Sequence, residues 1–232
     1  ETAFNNVTIS DSLTAPAGTM SINGNWVNNG AFSHNNGTVT FTGTGSIGGS
    51  SESAFSNLTL SASAAVTAHS GNLYVQGDWD NSEGGAFSNG SGNIVFSGAG
   101  ISVISGTNSF YDLTCTTPGK EIRFKNGTEQ TVENTFDVSG SGASDITLRS
   151  TQNGQKWDIT FPNGAQSVTY VNVRDSDANS NTVTVSGGTN GGNNNANWIF
   201  VQNRYWIGGS GNWSDTNHWS LRMRMGGRNP SS

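Results

Sequence analysis

The stretch Ala3-Phe4-Asn5-Asn6-Val7-Thr8-Ile9-Ser10 decides the fold, because it returns as Ala54-Phe55-Ser56-Asn57-Leu58-Thr59-Leu60-Ser61. A weaker third copy is Phe110-Tyr111-Asp112-Leu113-Thr114-Cys115. The sub-motifs between the first two copies keep their order, since Gly24-Asn25-Trp26 matches Gly77-Asp78-Trp79. Repetition with a period of about 50 residues indicates a stacked or arrayed architecture and favours an extended scaffold over a compact enzyme.

The composition favours strands over helices. Charged residues make up 11% of the 232 residues, whereas about 25% is typical of globular proteins. Solvated helix faces are usually rich in Glu, Lys and Arg, so this depletion argues against a helical protein. The 32 glycines, together with abundant Asn, Ser and Thr, are typical of short turns between strands. We therefore predict an all-β chain.

Short β-like runs at regular spacing predict a right-handed parallel β-solenoid, with an array of β-sandwiches as the alternative. The solenoid would occupy residues 1–200. It would consist of repeats at about 3–53 and 54–109 and a divergent section at 110–200. Residues 201–232 would start a further module rich in Trp and Gly, or form an assembly segment.

Equivalent aromatic residues of the two repeats are expected to face inward and to stack on each other in a solenoid. The pairs are Phe4 with Phe55, Trp26 with Trp79, Phe32 with Phe87, and Phe41 with Phe96. For the two tryptophans, the alternative is an exposed platform for sugar rings.

A family resemblance is present near the end of the chain. It lies in the segment that runs from Tyr205-Trp206-Ile207-Gly208-Gly209-Ser210-Gly211-Asn212-Trp213-Ser214-Asp215 to Trp219-Ser220. It resembles the W-x-G-G-x-G-x-W-S openings of modules in large bacterial surface proteins of the autotransporter-passenger and filamentous-haemagglutinin-like class. The resemblance implies a right-handed parallel β-helix, export, and an adhesive or structural role. It implies no catalytic residue.

One loop has the composition of a calcium site. Asp175, Asp177, Asn179 and Asn181 alternate along the chain, and Ca²⁺ prefers six to eight oxygen ligands of this kind. The loop departs from the EF-hand pattern, because it has neither the Gly after the third ligand nor the Glu at the twelfth position. The alternative is an Asx-rich turn whose side chains cap backbone N–H groups.

The other reactive side chains do not form a recognisable catalytic or metal pattern. Asp78, Asp80 and Glu83 are acidic, but the matching stretch of the first repeat has no acid, so we interpret them as a solvated turn. The histidines, which are His34, His69 and His218, lie far apart in sequence without metal-ligand spacing. Cys115 stands at an apolar strand position and is predicted to be a buried small hydrophobic residue. We predict no enzymatic activity and no cofactor other than the calcium of the Asx loop.

These observations leave three functional hypotheses. The first is a non-catalytic structural or adhesive module of an exported bacterial surface protein, at the cell surface or in an extracellular filament. The alternatives are a carbohydrate-active β-helix, such as a polysaccharide lyase or tailspike, and a calcium-stabilised carbohydrate-binding module. Expected partners are further copies of the chain, joined end to end through unpaired strand edges, and extracellular glycans. The net charge of −6 argues against nucleic acid, and we expect no membrane insertion.

Overall fold

Strands form where apolar and polar residues alternate over a few positions between Gly-, Asn- and Ser-rich turns. In Thr38–Phe41, for example, Val39 and Phe41 are buried while Thr38 and Thr40 are half-buried. The computed structural model describes residues 2–179, 181–192, 194–202, 204–207 and 209–220. It confirms the predicted all-β solenoid, with parallel strands stacked in about nine turns.

Each turn of the solenoid contributes strands to three faces, which we name A, B and C in the order in which the chain visits them. Face A is a continuous sheet of ten parallel strands. Its strands are β1 (Thr2–Phe4), β4 (Thr19–Ile22), β7 (Thr38–Phe41), β10 (Asn57–Leu60), β13 (Trp79–Asp80), β16 (Ile101–Ser105), β18 (Glu121–Phe124), β20 (Ile146–Ser150), β23 (Val171–Arg174) and β26 (Thr189–Asn190).

Face B begins as a five-stranded parallel sheet and face C begins as a separate parallel pair. Face B consists of β2 (Val7–Ile9), β5 (Trp26–Asn28), β8 (Thr44–Gly48), β11 (Ala65–Ala68) and β14 (Ala86–Ser88). Face C consists of β3 (Ser12–Thr14) and β6 (Ala31–Ser33), followed by β9 (Ser53–Phe55), β12 (Asn72–Val75), β15 (Asn93–Phe96), β22 (Ala165–Thr169), β25 (Val183–Ser186) and β27 (Trp198–Val201).

Two long strands, β17 (Asn108–Cys115) and β19 (Glu129–Ser139), span faces B and C. An irregularity in their pairing between Phe110 and Asp112 marks the corner. The first part of β19 pairs with β21 (Trp157–Thr160), which in turn pairs with β24 (Ser176–Asp177), so these strands continue face B. The second part of β19 pairs with β22 on face C.

The number of residues in a turn varies along the solenoid. Thr2 pairs with Met20 at the first step of face A, whereas Ile122 pairs with Leu148 further along. Loops at the corners absorb the difference, because the strands themselves stay in register.

The sequence repeat and the solenoid turn are out of phase. One repeat contains eight strands, since Trp26 lies on β5 and Trp79 on β13. A turn uses three strands, so each repeat ends one face short of three full turns. Trp26 accordingly lies on face B and Trp79 on face A, while Phe41 lies on face A and Phe96 on face C.

The predicted stacking of equivalent aromatic residues is therefore wrong. Trp26 and Trp79 lie on different faces, and each contacts one phenylalanine of its own repeat and one from the start of the next section. Phe4 is 41% exposed on the first turn, although its counterpart Phe55 is fully buried. Trp26, Trp79, Phe41 and Phe96 do face inward as expected, and the exposed-platform alternative fails for both tryptophans because each is fully buried.

Each of the two tryptophans instead forms an aromatic cluster in the core with two phenylalanines. The Trp26 ring lies 4.6 Å from Phe32 and 5.2 Å from Phe55, between ring centroids. In the second repeat, the Trp79 ring lies 4.8 Å from Phe87 and 5.3 Å from Phe110. Edge-on and tilted contacts of this kind add to the stabilisation that area burial gives.

The indole nitrogens of Trp26 and Trp79 also have hydrogen-bond partners. Trp26 Nε1 donates to Ser53 Oγ, and Trp79 Nε1 donates to Asn108 Oδ1, each at 2.9 Å. A buried indole N–H usually needs such a partner, because an unpaired donor in the core is costly.

The recurring Asn of the A-F-x-N motif joins one turn to the next. Asn6 Oδ1 accepts the backbone N–H of Asn25 at 2.7 Å, and Asn57 Oδ1 accepts that of Asp78 at 2.8 Å. In the third copy Asp112 Oδ1 accepts the N–H of Thr135 at 2.8 Å. The motif therefore encodes a corner cap that satisfies a backbone donor of the following turn.

One charged side chain is sealed inside the solenoid. Lys120 is fully buried, and its Nζ donates to four backbone carbonyls, which are Gln76 O, Ser97 O, Gly98 O and Gly100 O, at 2.9–3.2 Å. Desolvation lowers the pKa of Lys120, with Cys115 and Asp78 opposing that shift. The ammonium group holds the loop between β15 and β16 against the preceding turn.

Within the described part of the chain, no helix is long and apolar enough to cross a bilayer.

Candidate functional site

A small aromatic subdomain follows the last solenoid strand. Its framework is an antiparallel pair of strands, β28 (Tyr205–Trp206) and β29 (Trp219–Ser220), in which Trp206 faces Trp219. A 3₁₀ helix, Thr216–His218, leads into β29, and the Asp215 side chain caps it by accepting the N–H of Asn217. Residues 221–232 of the predicted C-terminal module lie outside the described residues.

Aromatic contacts hold this subdomain together. The Trp206 ring stacks on His218 at 4.7 Å and meets Trp219 edge-on at 5.4 Å, between centroids. The Trp213 ring also meets Trp219 edge-on, at 4.5 Å, while Trp219 Nε1 donates to the Trp213 carbonyl at 3.0 Å. Because the last two contacts hold Trp213 from one side only, the residue remains 80% exposed.

The exposed indole borders a cleft of about 440 Å³, which we name the aromatic cleft. It is lined by Arg204, Trp213, Ser214, Thr216 and Trp219. The volume is within the range of small-molecule sites, which combine apolar walls with a few polar groups. One apolar face of a sugar ring can pack on an indole, while hydroxyl and guanidinium groups bind the sugar hydroxyls. The sequence indicated the tryptophans through their spacing, but it did not show that Arg204 lies at the same cleft.

The four residues of the predicted calcium loop contact different groups of the protein. Asp175 is buried at the corner between β23 and β24, where its Oδ2 accepts the N–H of Gly154 at 3.1 Å. Asn181 Oδ1 accepts the N–H of Phe161 at 3.2 Å. Each of these side chains caps a backbone donor of the preceding turn, as the Asx-turn alternative expects.

Asp177 and Asn179 instead join two acids that the sequence did not single out. Asp177 pairs in register with Asp158, and Asp158 with Glu129, so three carboxylates lie on neighbouring strands of face B. We name Glu129, Asp158 and Asp177 the acidic row. Asn179 Nδ2 donates to Glu129 Oε1 at 3.0 Å.

Among the described residues, the carboxylates of Asp177 and Glu129 have hydrogen-bond partners and that of Asp158 has none. Lys156 Nζ lies 3.2 Å from Asp177 Oδ2, and Asn197 Nδ2 donates to Asp177 Oδ1 at 2.9 Å. Glu129 accepts from Thr160 and Asn179. Burial raises the pKa of Asp158, and the neighbouring Asp177 and Glu129 carboxylates raise it further, while Lys156 lowers it.

Calcium binding at the loop stays a prediction. The oxygens of Asp175, Asp177 and Asn181 already accept protein N–H groups, and an ammonium group neutralises Asp177. A calcium ion would have to replace those donors. In the described ranges, no group of three or more His, Cys, Asp and Glu side chains is placed to hold a metal ion.

The second acidic cluster, which the sequence suggests is a turn, consists of three separate caps. Asp78 Oδ1 accepts the N–H of Val103, Asp80 Oδ1 that of Ser82, and Glu83 Oε2 that of Ala62, all at 2.8–3.0 Å. These carboxylates are committed to different backbone donors, which matches the solvated-turn interpretation.

The remaining candidates are also placed apart. His34 Nε2 lies 3.2 Å from Gln76 Oε1, His69 Nδ1 accepts the N–H of Gly71, and His218 belongs to the aromatic subdomain. Cys115 is fully buried, which confirms its prediction as a core residue, and burial raises its pKa.

Comparison with protein-family models, curated proteins and solved structures finds no significant match to this chain. The resemblance to bacterial surface proteins therefore stays a prediction from the sequence.

Proposed function

We propose that the chain is a non-catalytic structural and adhesive module of an exported bacterial surface protein. The observation that carries the adhesive part is the aromatic cleft, where Trp213 is 80% exposed beside hydroxyl and guanidinium groups. Tryptophans with an apolar face and a polar handle are enriched at binding interfaces, and ligand sites combine apolar walls with a few polar groups. The ligand class that fits an indole beside polar donors is a glycan.

The solenoid supports the structural part. About nine turns with strands about 4.8 Å apart give a rod about 40 Å long. Corner caps such as Asn57 to Asp78 tie each turn to the next, so the rod resists bending. A stiff body of this kind suits a spacer that holds a binding surface away from a cell.

Substitution of Trp213 tests the adhesive role. We expect Trp213→Ala to lower retention of the chain on immobilised polysaccharides at least tenfold, because the stacking surface is lost. Ile199→Ala is the matched control, since Ile199 is 51% exposed on β27, outside the cleft. Equal retention of both variants and the parent on every glycan surface would remove the proposed role of the cleft.

The first turn supports end-to-end association as part of this proposal. The strands β1, β2 and β3 each pair on one side, and a cleft of about 310 Å³ lies at this end. Its lining includes Phe4, Val7, Ile9, Leu13 and Met20. Edge strands beside apolar side chains favour pairing with another chain.

A specific observation favours one second candidate, a polysaccharide-cleaving β-helix. Asp158 lies between two carboxylates and has a raised pKa, which is a common property of general acids. Release of oligosaccharides by the parent chain, lost in Asp158→Asn, would support this enzyme over the non-catalytic module.

A further inference from the structure

The arginines of the solenoid form one row. The sequence holds three arginines before Arg204, which are Arg123, Arg149 and Arg174. Arg123 pairs in register with Arg149, and Arg149 with Arg174, on the adjacent strands β18, β20 and β23 of face A. Alternation along each strand sends the apolar neighbours inward, so the three guanidinium groups line the outside of the rod at about 4.8 Å intervals. We name these three residues the arginine row.

The fold does not use the full charge of this row. Arg123 and Arg149 share the Glu121 carboxylate, which contacts Arg123 Nε directly and lies 3.9 Å from Arg149 Nε. Arg174 Nε lies 3.6 Å from Asp175 Oδ2, an oxygen that also accepts the Gly154 N–H. Three cations therefore share two carboxylates, although like charges on adjacent strands repel each other.

The central arginine of the row has no short contact at its Nε atom. Arg149 Nε is buried and makes no hydrogen bond within the described residues, and its distance to the Glu121 carboxylate is 3.9 Å. The planar guanidinium carries five N–H donors and binds carboxylates in a two-pronged geometry. Because Nε is enclosed, an anion outside the rod would reach this half-buried side chain at its two terminal nitrogens, Nη1 and Nη2.

The surroundings select the kind of anion. The first 119 residues contain seven acidic residues and no Lys or Arg, so positive charge is local to this part of the rod. A second outward row beside the arginines begins with the ion-paired Glu121 and continues with Thr147, Asn172 and Thr189, in register on β18, β20, β23 and β26. Their hydroxyl and amide groups suit sugar hydroxyls, whereas single-stranded nucleic acid is usually bound with aromatic stacking. The outward positions of β18, β20 and β23 hold no aromatic residue.

We propose that the arginine row binds a linear acidic polysaccharide that runs along the rod axis, with successive carboxylates against successive guanidinium groups. Each carboxylate would accept a two-pronged, charge-assisted hydrogen-bond pair. The site is separate from the aromatic cleft, and its occupation does not depend on glycan binding there. The acidic row of a second copy is a weaker fit, because Asp177 and Glu129 already have internal partners.

Polygalacturonate is a suitable probe, because it carries one carboxylate per sugar, and its methyl-esterified form is the neutral control. On the full chain we expect Arg149→Gln to weaken polygalacturonate binding roughly tenfold, a loss of one charge-assisted contact. Arg149→Lys keeps the charge but loses the two-pronged geometry, so it should restore only part of the affinity. The affinity of the parent should fall as salt rises.

Lys156→Gln is the matched control. It also removes one positive charge from a half-exposed side chain, but on face B beside Asp177. We expect it to leave polygalacturonate binding unchanged. Thermal melting should show that Arg149→Gln is folded and no less stable than the parent, because a repulsive neighbour of Arg123 and Arg174 is removed.

Three results would overturn the proposal. The first is equal binding of the parent and the triple variant Arg123→Gln, Arg149→Gln, Arg174→Gln. The second is tighter binding of DNA than of polygalacturonate at the same salt concentration. The third is concentration-dependent self-association that the triple variant abolishes, since the row would then contact a second copy. Loss of polygalacturonate binding in the triple variant with Trp213→Ala unaffected would support the arginine row independently of the aromatic cleft.

Discussion

At the scale of single residues, this solenoid is held together by polar side chains that reach from one turn to the next. The corner caps Asn6, Asn57 and Asp112 satisfy backbone donors of the following turn, and Lys120 satisfies four carbonyls at once. The loops are short of apolar residues, so these contacts replace side-chain packing at the corners. The recurrence of Asn in the repeat therefore reflects a backbone requirement.

The glycine of the G-[N/D]-W motif is coupled to this cap. A Cβ on Gly77 would overlap Asn57 Oδ1 and would lie 2.9 Å from Ser56 O. We expect Asn57→Ala to lower the free energy of unfolding by about 1 kcal/mol, and Gly77→Ala to cost more.

The pair Asn57 and Gly77 should be non-additive in a double-mutant cycle, measured by urea denaturation. Once Asn57 is truncated, Gly77→Ala should cost less, with a coupling of about 0.5–3 kcal/mol. Strict additivity would show that the cap and the glycine act separately.

Asp158 should make stability depend on pH. Its pKa is raised in the folded chain, so the native state binds the proton more tightly than the unfolded state does. The stabilisation by the proton is full below the ordinary pKa of 3.8 and is lost as the pH rises through the raised native value. Asp158→Asn mimics the protonated form, so its melting temperature should exceed that of the parent at pH 7, with the gap closing below pH 3.8.

Asp11→Asn controls for the general loss of one negative charge, because Asp11 is exposed on the first turn. If both variants show the same pH-dependent difference in melting temperature from the parent, the effect comes from net charge and not from the acidic row.

At the scale of elements, inward aromatic residues hold the strands of all three faces together. Phe41 on face A and Phe96 on face C occupy equivalent places in the two repeats, and both are fully buried. We expect Phe41→Ala and Phe96→Ala each to cost about 3–5 kcal/mol. Chemical denaturation measures both, and a cost below about 1 kcal/mol for either would contradict its place in the core.

The strands were predictable from the sequence, but the offset between the sequence repeat and the solenoid turn was not. Alternation of apolar and polar residues in stretches such as Val39-Thr40-Phe41 marks a strand wherever it occurs, so the all-β solenoid was predictable. The face on which each strand lies was not predictable. The sequence shows the length of a repeat in residues, but it does not show how many strands make up one turn of the solenoid. Trp26 and Trp79 therefore looked like stacking partners, although they lie on faces B and A.

The same limit applied to the sites. Asp177 and Asn179 stood out as an Asx pattern along the chain, whereas Glu129 and Asp158 lie on separate strands. Their alignment depends on the lengths of the intervening turns, which vary and have no simple sequence signal. The arginine row was hidden for the same reason, since Arg123 and Arg149 are brought into register only by a long turn.

At the scale of the whole molecule, the apolar cleft at the first turn should control self-association. Light scattering should show concentration-dependent association of the parent chain, and Phe4→Asp should weaken it by placing a charge among Val7, Ile9 and Leu13. Ile101→Asp is the matched control, because Ile101 is 49% exposed on face A, away from the first turn. A parent chain that remains monomeric at high concentration would contradict end-to-end association.

The mismatch between eight strands per repeat and three strands per turn has a consequence for how such a rod grows. Duplicating one repeat rotates everything added by a third of a revolution, so a surface motif copied with it points in a new azimuthal direction. Three tandem duplications span twenty-four strands, or eight whole turns, so the motif then lies on its original face again. Gene duplication in this architecture thus lengthens the rod and spreads its display around the circumference in the same event.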